Sequence, residues 1–325
     1  MAYQNVGTPR FYIDIPTYLN SIGEDYGEGF DKSLFTLNPI TPVDFLNANT
    51  SSANILLNNE VKDICNPNKF YFAILNHNIE GENGFELKNE HWSDTDYILN
   101  HIHPSISNIG SSIVTGVVPE NISTIMIDSI QASENITAGS VSFGSYYDMT
   151  NSADLDLTME IEFDGYDTVE TMGGTTLTSV RYNGSPYWFD KEGNKSEPFS
   201  IGTTTGVSKR NGRRVWNLKF SYISDENIFS SNYMSNNYLE TSTDYSSDDI
   251  NQNDNTFEYT LNNDDSFISQ VFNKVGNGQK FIFQPDNSNN NPDQFAICTI
   301  VQDSLSIKQV AYKVYDFSLK IRETW

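Results

Sequence analysis

Four histidines are the first residues that could do chemistry: His77, His91, His101 and His103. In the stretch His91-Trp-Ser-Asp94-Thr-Asp96, followed by His101-Ile-His103, a His-X-His on a strand would set both rings on one face. With carboxylates nearby these are the ingredients of a Zn²⁺ or Fe²⁺ site. The spacing matches no standard ligand signature, so surface and loop histidines are the plainer reading and no metal is expected. A second oxygen-rich run, Asp244 to Asp254, could supply ligands to Ca²⁺. It lacks the glycine of an EF-hand loop, and Thr260 stands where a bidentate Glu is required, so a solvated polar loop is expected.

Nucleophiles and phosphate loops fare no better. Gly173-Gly174 follows a strand, but no GxxxxGK[ST] or GxGxxG pattern surrounds it, and a turn is expected there. There is no GxSxG elbow, no Cys/His pair and no Ser/His/Asp context. Cys65 and Cys298 both sit in apolar surroundings and read as small buried hydrophobes. Paired carboxylates are too common in this chain to single out a glycosidase. The expectation is a chain with no catalytic site and no cofactor.

Charge narrows the partners. The 43 acidic and 19 basic residues give a formal net charge of −24, a surface that repels nucleic-acid backbones and anionic membranes. An acidic wall lining a channel through which DNA slides without sticking is the exception. Against this background the basic cluster Lys209-Arg210-Asn-Gly-Arg213-Arg214 is unusual. Asn211-Gly212 reads as a hairpin turn leading into the Trp216 strand. Arg210, Arg213 and Arg214 could also dock an acidic face of a neighbouring subunit.

The elements that would hold such residues are strands. Aromatic residues make up 13% of the chain, with 20 Phe and 18 Tyr, and ring side chains suit a pleated surface. Residues 1–30 read as an ordered arm or first strand, because Pro9 and Pro16 argue against a continuous helix. The apolar run 69–75 reads as a buried central strand, with further strands at 84–87, 113–118, 124–130 and 138–143. Strict alternation at 155–163, 215–222 and 315–322 predicts strands with one face in a core and one in water. One helix is predicted at about 265–275, where Phe267, Ile268, Val271, Phe272 and Val275 fall at helical spacing ahead of Gly276.

The fold class expected is therefore mainly β: two β-sandwich or jelly-roll-like domains, 1–150 and 151–325, the second carrying the helix. The polar segments 183–212 and 230–264 read as long loops that become ordered against a partner. The start of the chain, Met1 to Asn5, has neither a basic opening nor an apolar run, and no stretch approaches the roughly 20 apolar residues of a membrane span. A protein made in a cytoplasm, with no membrane partner, is expected.

Three segments carry a resemblance. Phe281-Ile-Phe-Gln-Pro-Asp286, Phe295 to Ile300 and Tyr315 to Trp325 resemble the end of distal tail and minor tail proteins of tailed bacteriophages. Phe72 to Ile79, with Gly84-Phe-Glu-Leu87, resembles a jelly-roll module of phage structural proteins, in which His77 and Asn78 carry over only as a structural turn. Tyr3 to Tyr12 and Gly212 to Trp216 are similar to uncharacterised marine phage virion proteins. The resemblance implies a virion tail component, in the distal tail, baseplate or minor tail, that forms a homo-oligomeric ring, such as a hexamer, and contacts other tail proteins. The alternative is a carbohydrate-binding adhesin, in which Trp92, Tyr97, Tyr187 and Trp188 would stack on sugar rings. A polysaccharide-degrading enzyme is the third and weakest reading.

Overall fold

The apolar run and the alternating runs become strands of one sheet that differ in where they sit. The computed structural model describes residues 7–24, 27–28, 32–39, 41–46, 52–57, 61, 64–78, 86–88, 98–103, 110–118, 124–128, 135–155, 158–162, 166–180, 212–230, 264–290 and 294–324. The chain is mainly β, and its paired strands run antiparallel.

In chain order the first strands are β1 (Arg10–Asp14), β2 (Gly27–Glu28), β3 (Val43–Leu46), β4 (Ser52–Leu57), β5 (Phe70–His77), β6 (Glu86–Lys88) and β7 (Ile98–His103). Then come β8 (Gly110–Val117), β9 (Thr124–Asp128), β10 (Ile136–Ala138), β11 (Ser140–Asp148), β12 (Thr158–Glu162), β13 (Tyr166–Glu170) and β14 (Thr176–Val180). The last are β15 (Arg213–Ser224), β16 (Phe281–Gln284), β17 (Ala296–Ile300), β18 (Ile307–Ala311) and β19 (Val314–Glu323).

Eleven of these form the main sheet in the order β12-β15-β19-β17-β16-β1-β11-β5-β8-β7, with β18 alongside β19. A four-stranded sheet, β2-β4-β9-β6, and the pairs β10-β3 and β13-β14 lie apart from it. The boundary expected at residue 150 does not interrupt the main sheet. Phe11 of β1 is in register with Tyr147 of β11 on one side and with Phe283 of β16 on the other.

Position in the sheet explains the sequence patterns. Central strands are buried on both faces, so they read as continuous apolar runs. Phe70, Phe72 and Ile74 of β5 join one core, while Tyr71, Ala73 and Leu75 join a second core on the opposite face. β1 divides the same way, Phe11 and Ile13 against Tyr12. Strands β15 and β19 lie further out and bury one face, through Trp216, Leu218 and Phe220 and through Phe317, Leu319 and Ile321. Rings knit the larger core: Phe267 lies 5.0 Å from Phe317 and 5.9 Å from Phe11, and Trp216 lies 5.3 Å from Phe283. Such pairs add about 0.5–1.5 kcal/mol each beyond area burial.

The helix near 270 is present with a modified start. Ile268–Phe272 is a π-helical segment that passes into α-helical Asn273–Val275. Gly276, at φ 54° and ψ −144°, ends it, a conformation that favours glycine. Phe267, Ile268, Val271 and Val275 are buried against the main sheet, as their spacing predicts.

The first strand expected in residues 1–30 is β1, and a short helix that the sequence reading did not foresee, α1 (Ile15–Ile22), follows it at once. Pro16 sits in the first turn, where its missing N–H breaks no helical bond, and Asp14 caps the helix by accepting from the Thr17 N–H. The alternation through Tyr222 fails: the register shifts between Phe220 and Ile223, Tyr222 adopts φ 59° and turns outward, and Ile223 takes the core position. Among the described residues of the run at 155–163, Thr158–Glu162 form β12, and Leu155, Met159 and Ile161 are exposed. Met159 is 52% and Ile161 42% exposed, because they share a face with Trp216 and Arg214 at the sheet margin, where that core ends.

Candidate assembly surface

Buried titratable groups are the usual mark of a reactive site, and here each is tied into the frame. The Asp14 carboxylate accepts from Ser142 Oγ at 2.7 Å, from the Thr17 N–H at 3.1 Å and from the Thr17 hydroxyl. Burial raises it to about 6 against the pull of those hydrogen bonds. Lys274 Nζ donates to Ile64 O at 3.0 Å and to Gln270 Oε1 at 2.9 Å, and burial lowers it to about 8. Burial pushes the Cys65 thiol up to about 12 and Cys298 well above its ordinary range, so neither is a ready thiolate. Both cysteines are free and buried.

The arginine cluster divides. Arg214 is buried on β15, with Nη2 3.2 Å from Glu323 Oε1, Nε 3.2 Å from Glu323 Oε2 and a further bond to Phe295 O at 3.1 Å. It ties β15 to β19 and to the residue just before β17, and its guanidinium is buried within the chain. Arg213 is half-buried, and Arg210 lies outside the described residues. Gly212, at φ 98°, lets the chain turn tightly into β15: a Cβ there would lie 2.5 Å from Glu162 O.

Among the described residues one open groove of about 270 Å³ lies on the water-facing side of β12, β15 and β19. Register places Thr158, Asn217 and Lys320 in a row, with Lys219 one step along β15. Gln302 closes one side, its Oε1 accepting from the Lys320 N–H at 2.8 Å. Lys219 lies 3.6 Å from Asp154. The volume is below that of a drug-sized ligand pocket and suits one or two side chains. These polar positions were visible as the outward half of the alternating runs. Their convergence was not, because it depends on the pairing register.

The larger exposed feature adjoins it. β12 is the last strand of the main sheet and, among the described residues, pairs only with β15. Next in the chain come β13 and β14, a hairpin closed by Gly173 and Gly174, as the sequence predicts. Residues 167–170 and 172–179 are all exposed, including Val169, Met172 and Leu177. Val169 and Leu177 are directly paired across the strands and share their face with Asp167 and Ser179, so the hairpin carries one exposed apolar pair. A lone two-stranded hairpin is marginal in water, and exposed apolar side chains grouped on one element mark contact surfaces.

The other sequence candidates are not brought to this place. His77 ends β5, buried, with Nε2 2.8 Å from Ser112 Oγ, so it is a core residue and not a surface one. His101 and His103 lie on β7, with a register shift between them. His91, Asp94, Asp96, Trp92, Tyr97, Tyr187, Trp188, the run Asp244 to Asp254, and most of the two polar segments lie outside the described residues. Among the described residues no three His, Cys, Asp or Glu side chains are grouped to hold a metal ion, and no helix is long and apolar enough to cross a membrane. No protein-family model, no curated protein and no solved structure matches the chain.

Proposed function

We propose that this chain is a structural protein that works by assembling with copies of itself and with other proteins, as a component of a phage virion tail. One observation carries the assembly reading: the β12 edge, open among the described residues, and the adjoining exposed hairpin both bear apolar side chains that a chain acting alone would cover. The resemblance of the C-terminal segment to distal and minor tail proteins gives the reading its specific form, a ring at the distal tail or baseplate. The acidity fits such a ring, since a negative wall lets DNA pass without binding it. Negative-stain electron microscopy of the full chain tests this. Closed particles of defined rotational symmetry are expected, and a field of single chains at all concentrations would overturn the proposal.

A further inference from the structure

We infer that the open edge of β12 receives strand β14 of a second copy of this chain, which extends the main sheet from one copy into the next. The inference rests on the assembly reading above and names the segments that meet.

Four features of the two elements agree. First, among the described residues β12 pairs only with β15 and β14 only with β13, so within that set each has one row of backbone donors and acceptors without a strand partner. Second, each is five residues long, so a full ladder forms without overhang.

Third, the faces match. On β12, Met159 and Ile161 point to the core side while Thr158, Glu160 and Glu162 point to the other. On β14, Leu177 and Ser179 lie on one face of the hairpin, while Thr176 and Thr178 lie on the other. Adding β14 to β12 continues the apolar side of the sheet with Leu177 and the polar side with threonines, as strand addition requires.

Fourth, charge selects between the hairpin's two strands. β13 carries Asp167 and Glu170, and Glu170 would fall on the same face as Glu160 and Glu162. β14 carries no charge. Like charges set directly across a strand pair repel, so β14 is the strand that fits. The donor patch and the acceptor patch are different surfaces, which makes the contact head-to-tail. Repeated, it closes into a ring if the rotation per copy allows and otherwise continues as a filament.

Thr178 and Ile161 give the test, on the full chain. Thr178→Glu sets a second carboxylate beside the exposed Glu160 and is expected to weaken self-association about tenfold, while Thr178→Lys is expected to tighten it. Glu160→Lys should restore association to Thr178→Glu; Glu162 is left in place because Arg322 Nε donates to its Oε2 at 2.6 Å. Thr178 and Glu160 are exposed, so these changes leave the cores untouched.

As a second readout, Ile161→Cys and Leu177→Cys are placed in separate chains, mixed, and treated with a short bis-maleimide, which tolerates any register. The two native cysteines are buried. A covalent dimer formed only in the mixture supports the inference. In a chain carrying both new cysteines, a bridge confined to the monomer, or no bridge at all, overturns it. Wild type that associates but ignores both Thr178 changes also overturns it and leaves the assembly reading standing. Wild type that never associates overturns both.

Discussion

Arg214 and Glu323 form a buried, two-pronged ion pair between β15 and β19, with Nη2–Oε1 and Nε–Oε2 both at 3.2 Å. The same carboxylate accepts from the Arg214 backbone N–H at 3.0 Å, and the guanidinium stacks 4.8 Å from the Trp216 ring. Removing one member leaves the other charged and desolvated. Arg214→Met should therefore cost about 3–5 kcal/mol in denaturant unfolding, and pairing it with Glu323→Leu should recover most of that loss. A double variant that costs the sum of the two single variants would show that the pair is not a coupled unit.

Asp14 sets a pH dependence whose sign can be worked out. Its carboxyl is raised from 3.8 to about 6, chiefly by burial. Between those values the folded chain keeps a proton that the unfolded chain releases. The stability it contributes is full below about 4 and is lost as pH rises through about 6. Asp14→Asn cannot titrate. Wild-type stability measured against this variant should fall by on the order of 3 kcal/mol over that window and then stay level. A difference that is flat from pH 4 to 7 would contradict this.

Phe220 and Tyr222 look alike in the sequence and are opposite in the fold. Both stand at alternate positions of one strand pattern, yet Phe220 is buried and stacked 5.2 Å from Phe317, while Tyr222 is 76% exposed. Phe220→Ala should cost about 3–5 kcal/mol, and Tyr222→Ala should stay within about 0.5 kcal/mol of wild type.

That pair also marks how far the sequence could be read. The continuous run at 69–75 and the alternation at 315–321 report burial on two faces and on one, so the mainly β class and the strands concerned are legible from residues alone. A bulge is not, because one inserted residue leaves the alternation formally intact while it exchanges which side chain faces inward. Pro16 misled for a related reason: its effect depends on whether it falls inside a helix or in its first turn. The assembly surface was read in the wrong sense. Met159 and Ile161 have the pattern of a core face, and only the order of strands in the sheet reveals that β12 is at the margin. Lys219 and Lys320 were each visible, but their meeting depends on the Asn217–Lys320 register, which no local pattern encodes.

Gly212 holds the start of β15 against the end of β12. Gly212→Ala would set a Cβ 2.5 Å from Glu162 O in a left-handed backbone, and should cost about 1–3 kcal/mol. Gly174→Ala, at φ 78° with open space around it, should cost about 1 kcal/mol, the left-handed penalty alone. Thermal unfolding of the two variants separates clash from conformation, and equal shifts would contradict the close approach at Gly212.

Sedimentation velocity of the full chain over a concentration series, beside Met159→Ser/Ile161→Ser, is the most direct test of self-assembly. Wild type should sediment as a species of several chains that gains mass with concentration until it closes. The double variant, which alters only exposed side chains of β12, should remain folded and shift toward the monomer. A wild-type chain that sediments as one monodisperse monomer across the series would contradict it.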